Sequence, residues 1–241
     1  MRYSWGIHHI RQRRHVVKIS LILSGLIILL ILLLGFTTLD AAKFFGGFGL
    51  SLVRVVIAYF IALAIAIFTA LTVTSSKVLE SAFIPILDAL QSFPAFALFP
   101  LLIVWFGRTA PVIIIILVIE MVWPILFTVL TAKKQIREDL IEAAHAFDVR
   151  GYNFLKWVLF PLILPGIVTG SIVAWGEAWE TIIAAEIIVS ISGVGTYLST
   201  VASTNPKQMV IGIGLLLLLL FLLNKYIWLP LLNRSTKYQQ E

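Results

Sequence analysis

The chain contains no cysteine. That excludes disulfides, thiolate metal sites and a cysteine nucleophile, and it says nothing about compartment, because the fold never needs a redox state. Charge is scarce too. Only 12% of the 241 residues are Asp, Glu, Lys or Arg, about half the share of a soluble globular chain. No Gly-x-x-x-x-Gly-Lys-Ser/Thr phosphate loop occurs, so the chain is not expected to hold a nucleotide or hydrolyse ATP alone. Nor is there an evident internal repeat, the unit from which many secondary carriers are built.

What remains is largely apolar: 60% of residues are hydrophobic and the mean hydropathy is +1.03. A single water-soluble core could not hide so much apolar surface, so an all-α polytopic membrane protein is expected. The formal charge of +6 would suggest nucleic acid in a soluble protein. Here membrane topology explains it, and no nucleic-acid partner is expected.

A span needs about 20 mostly apolar residues. Candidates are Val16–Phe36, Leu50–Val73, Val78–Phe106 (broken by Pro85, Pro94 and Pro100), Pro111–Ala132, a stretch from Val158 to Ala178, and Met209–Leu229. The basic approach to Val16 resembles a signal peptide, but its apolar run exceeds the roughly 7–15 residues of a signal core, so a retained helix is expected. About six spans put both termini on one side. With that side cytoplasmic, every Lys and Arg falls inside except Lys43, Arg54, Arg108 and Lys207, as the positive-inside rule requires. The prolines predict a bent third region facing other helices, since freed carbonyls must be satisfied by protein or a wet cavity. Trp175–Pro206 is expected to hold a short embedded helix, a glycine turn and an external segment.

The most informative stretch is 133–160, a long charged insert that this orientation makes cytoplasmic. Glu138–Phe147 reads as a helix with Leu140, Ala144 and Phe147 on one face and Ala143 beside it. Asp148 and Gly151 break it, and Tyr152–Lys156 can start another. A helix–turn–helix docking into a groove on a cytoplasmic partner competes with an ordinary amphipathic loop. Lys133, Lys134 and Arg137 also suit the anionic heads of membrane lipids.

The order Glu142-Ala143-Ala144, a small turn, Val158 and Phe160-Pro161 resembles the EAA loop of importer-type ABC permeases. Asp148 stands where that pattern has glycine, a departure that a turn tolerates. Leu164-Pro165-Gly166-Ile167 continues the match. Ser51-Leu52-Val53-Arg54 resembles the start of the family's core. Ser92-Phe93-Pro94, Phe99-Pro100-Leu101, Trp105-Phe106-Gly107, Trp123-Pro124, Ala185-Glu186-Ile187 and Gly193-Val194-Gly195 resemble its nitrate/sulfonate/taurine branch. The resemblance implies a type I permease fold, with 1–45 holding a basic tail, the first helix and the start of an external loop. A core follows over 46–228, containing the EAA loop 133–160, and then a cytoplasmic tail 229–241. It also implies a partner ATPase dimer, a second permease copy or homologue, and an extracytoplasmic solute-binding protein. Glu142, Ala143, Ala144, Phe147, Asp148 and Gly151 would then couple to the ATPase.

Ionised groups at mid-membrane cost roughly 2.5–3.5 kcal/mol on insertion scales, so they rarely face lipid. Glu120, Glu177, Glu180 and Glu186 are therefore pathway candidates, with Trp179, Ser92 and Phe93. Each has a bland alternative: a structural glutamate at Glu120, a wet cavity wall at Glu177 and Glu180, helix contacts at Glu186. Arg54 is expected to snorkel to the outer interface. The tryptophans, Trp179 excepted, mostly fall near span ends, as interfacial tryptophans do. His8, His9 and His15 have no acidic partners nearby in sequence, and neither a metal nor a cofactor is expected. The branch points to a small anion, whereas the glutamates suit a neutral or cationic ring compound such as a pyrimidine vitamin precursor. A proton-coupled secondary transporter and a purely structural membrane subunit are the rival readings.

Overall fold

A computed structural model describes residues 25–26 and 40–235. Apart from residues 25–26, the expected first span and the basic tail lie outside the described residues. Among those described there is no strand. Helix α1, Ala41–Val73, is capped by the Asp40 carboxylate, which accepts from the Lys43 N–H at 3.2 Å. Its fully buried residues include Ala58, Ala62 and Ala66 at four-residue spacing. A stripe of small side chains lets a neighbouring backbone come close.

Helix α2 is Lys77–Gln91, capped by Ser76 and carrying Pro85 inside. It stops at Ser92-Phe93-Pro94. A 3-10 turn, Ala95–Leu98, leads into α3, Phe99–Phe106, with Pro100 in its first turn. The two halves bend by 74°, the break expected from the prolines. The α2 half differs from expectation in one respect: Leu87 is its one buried residue, while Val78, Phe83, Ile86 and Leu90 are exposed. Those side chains find no cover within the described residues.

Helix α4, Ala110–Lys134, is the hub. Ile113, Ile116, Leu117, Met121 and Ile125 are fully buried on it. Next come α5, Glu138–Ala146, and α6, Gly151–Val189, which includes a π turn at Leu155–Leu159. Helix α7 is Val194–Thr204, and α8 is Pro206–Ser235 with a π turn at Asn224–Trp228. Four of these, α1, α4, α6 and α8, are long and apolar enough to cross a bilayer, and the bent α2–α3 pair gives up to a fifth.

The span read from Val158 to Ala178 is too short. Helix α6 starts inside the charged insert and runs unbroken past Glu177, Glu180 and Glu186. No proline follows Pro165 in it, and the first stop is Ser190, in left-handed conformation (φ 59°). The short helix expected before the glycine turn instead follows it, as α7.

Helices α4 and α6 pack at glycine contacts. A Cβ on Gly170 would come within 2.7 Å of Ile125 Cα and 2.8 Å of Pro124 O. At one end of the bundle, Lys133 Nζ donates to Thr74 O at 2.9 Å and Lys134 pairs with Glu80 at 2.9 Å. At the other, Arg108 donates to Ile188 O at 3.3 Å and to Ser190 Oγ at 3.2 Å. Tyr59, Trp175 and Trp228 form a closed edge-to-face triad with ring centroids 5.6–6.0 Å apart. Trp175 and Trp228 thus join α1, α6 and α8. Aromatic edges meeting faces are favourable beyond the area they bury.

Candidate functional site

The charged insert folds as a short helix and a tight turn. Glu138 and Asp139 open α5, where acidic side chains suit the helix dipole. The Arg137 guanidinium bonds Asp139 and holds its carboxyl below the usual range. The far end closes with the Phe147 N–H on Ala143 O at 3.1 Å and the Val149 N–H on Ala144 O at 2.9 Å. Such bonds satisfy the last carbonyls of a helix when the next residue turns left-handed. That residue is Asp148, at φ 57°, and Gly151 repeats the conformation at φ 57°. Asp148 also pairs with Arg150 at 3.0 Å. The His145 and Phe154 rings lie 5.5 Å apart, joining α5 to the start of α6.

Glu142, Ala143, Phe147 and Asp148 are exposed, and Phe147 is 83% accessible. Ala144 is buried against its own chain. The face read as Leu140, Ala144 and Phe147 therefore divides, with Ala144 turned inward and Phe147 presented outward.

A second cluster lies at the opposite end of the bundle. Glu186, on α6, is fully buried. Its carboxylate accepts from Ser51 Oγ at 2.7 Å, from Arg54 Nη1 at 2.6 Å and from the Gly195 N–H at 2.9 Å. Arg54 also donates to Ser192 O at 2.7 Å, and Ser51 Oγ accepts from the Val194 N–H at 2.9 Å. Gly193 makes room for this, because a Cβ there would collide with the Glu186 carboxyl group. Arg54 does not snorkel outward as expected. Its side chain is 11% exposed and turned in to Glu186, because a buried carboxylate needs a charged, hydrogen-bonded partner more than the guanidinium needs water.

The remaining candidates separate. Glu120 on α4 is half-buried, Glu177 and Glu180 on α6 are exposed, and the three carboxylates lie within electrostatic reach of one another. Helical spacing carries their face along both helices to a cavity of about 480 Å³ lined by Thr128, Thr131, Gln135, Gly166 and Thr169. Trp179 is not on that face. It is 3% exposed and stacked on Phe48 at 5.2 Å. Ser92 and Phe93 sit at the α2–α3 break, where Ser92 Oγ donates to Asp88 O at 3.2 Å. Among the described residues no cluster of His, Asp and Glu could hold a metal ion.

The fold is thus that of an all-α, multi-pass membrane protein with a short charged helix and turn between two of its spans. The family described as binding-protein-dependent transport system inner membrane component matches residues 62–235, and the chain belongs to that family. It is 27% identical to the taurine transport system permease protein TauC of Escherichia coli over 174 residues, 72% of this chain and 63% of that one. It is 35% identical to the bicarbonate transport system permease protein CmpB of a Synechocystis species over 149 residues, 61% of this chain and 53% of that one. The nitrate import permease protein NrtB of the same source is 26% identical over 148 residues, 61% of this chain and 54% of that one. The match therefore spans between half and two thirds of these relatives' lengths. The relatives are named as transport permeases, not enzymes.

Proposed function

We propose that this chain is a transmembrane permease subunit of an ATP-driven importer. It lines the route for a small solute and takes its drive from a separate cytoplasmic ATPase dimer gripping α5 and the turn after it. The observation that carries the reading is the exposed edge Glu142–Ala143–Phe147, closed by left-handed Asp148 and Gly151, in an otherwise apolar chain of this family. Both ends of the chain and the 133–160 loop are assigned to the cytoplasm, and 46–228 to the core. A second permease copy or homologue and an extracytoplasmic solute-binding protein complete the proposed assembly.

The names of the relatives favour a small anion of the taurine, bicarbonate or nitrate kind. The shared face of Glu120, Glu177 and Glu180 favours a second reading, a neutral or cationic compound. Arg54 is committed to Glu186 and does not offset those carboxylates.

The test is reconstitution with the ATPase in vesicles. Phe147→Ala should weaken ATPase binding roughly thirtyfold, as for an aromatic anchor. Glu142→Lys should leave ATP hydrolysis running while solute uptake stops. Intact uptake and intact assembly in both variants would overturn the coupling assignment. The same vesicles, offered taurine, nitrate and a pyrimidine amine in turn, separate the two substrate readings.

A further inference from the structure

One groove has no part in the proposed pathway. It lies between the last turns of α1 and the first turns of α6, walled by Ile67 and Leu71 on one side and Leu155, Leu159 and Ile163 on the other, with Lys156 on its wall. Its volume is about 270 Å³. That is below the common range for small-molecule cavities of about 300–1,000 Å³, and its walls are mostly aliphatic. An acyl chain fits such a slot.

Lys156 supplies the second half of the site. Its ammonium lies 4.9 Å from the Trp157 ring centroid, and among the described residues no carboxylate pairs with it. It stands five residues into α6, about 8 Å from the helix start. Lys156 is exposed, and a cation without a carboxylate partner at the edge of an apolar groove attracts an anion. Tyr152, one turn earlier, also lines the groove, and Trp157 is exposed beside it. Both are residue types that settle at headgroup level. The backbone widens here into the π turn Leu155–Leu159, and π turns recur at functional sites.

We propose that this groove binds one anionic phospholipid of the cytoplasmic leaflet, with an acyl chain between α1 and α6 and the headgroup phosphate on Lys156. The leaflet rests on the orientation proposed above; the lipid preference does not.

The test uses the full chain in nanodiscs of phosphatidylcholine and phosphatidylglycerol, followed by mass spectrometry of lipids retained after purification. The wild type should retain phosphatidylglycerol over phosphatidylcholine. Lys156→Gln should lower that preference about fivefold, the factor of one surface lysine, and Lys156→Arg should restore it. Phosphatidylglycerol bearing a photoreactive acyl chain should crosslink to the peptide containing Leu155–Ile163. Lys225→Gln is the comparison, because Lys225 also lies over an aromatic ring in a π turn. Equal loss with Lys225→Gln would mean a diffuse basic belt and overturn the site. So would equal retention of both lipids by the wild type and Lys156→Gln, or crosslinks from the groove to residues 16–36 or to a second copy. None of these readouts involves the ATPase, so failure here leaves the permease reading standing, and failed coupling leaves the lipid result intact.

Discussion

Glu186 is the residue on which three helices converge. Its carboxylate accepts from α1 through Ser51 and Arg54 and from the start of α7 through the Gly195 N–H. Every bond to it is made to the ionised form, so removing one partner leaves a buried charge behind. Arg54→Ala or Glu186→Ala should therefore lower stability by about 3–5 kcal/mol, read from unfolding of the detergent-purified protein. Gly193→Ala should also destabilise, because its methyl group would occupy the carboxylate's space. A change within about 0.5 kcal/mol, typical of uninvolved surface positions, would mean that water already satisfies Glu186.

The turn after α5 is an element whose shape is set by two left-handed residues. Gly151 adopts this conformation without strain, whereas Asp148 does so against the Cβ penalty that L-residues carry there. Asp is among the types that tolerate it. Asp148→Gly should accordingly keep the turn and match or exceed wild-type stability. Asp148→Val should lose roughly 1–3 kcal/mol as a branched side chain meets the same constraint. Hydrogen exchange over residues 138–151 reads the difference, and faster exchange in Asp148→Gly than in Asp148→Val would contradict this account. The Asp148–Arg150 pair is highly exposed on both partners, so it adds little to the balance.

At the scale of the molecule, the bundle has two chemically distinct ends. Thr74, Glu80, Lys133 and Lys134 meet at the end that carries α5. Arg108, Ser190 and α7 lie at the other. The absence of cysteine makes the assignment of sides directly testable, since any introduced thiol is unique. Phe147→Cys should react with a membrane-impermeant maleimide only from the cytoplasmic side. Lys207→Cys, beside the start of α8, should react only from outside. The reverse pattern would invert the proposed topology and remove α5 from any cytoplasmic motor.

Long apolar runs separated by charge announced the membrane class and the approximate place of four spans and of the bent α2–α3 region, because an apolar helix in lipid depends on composition alone. The prolines at 94 and 100 marked the α2–α3 break, and the order Glu142-Ala143-Ala144 marked α5, both local signals. Where α6 ends was not legible, because glutamates inside a helix look like a loop until their partners are known. The pairing of Arg54 with Glu186 joins residues far apart in the chain, and nothing in either neighbourhood names the other. Likewise, that Ala144 turns inward while Phe147 turns out, and that Trp179 leaves the Glu177–Glu180 face to stack on Phe48, follows from how helices seat against each other. The sequence by itself determined that this protein lives in a bilayer and carries a charged elbow between two of its apolar runs. Which polar groups meet within the bundle was decided only by the tertiary structure, because burial makes an unpaired charge costly and the packing of helices chooses its partner.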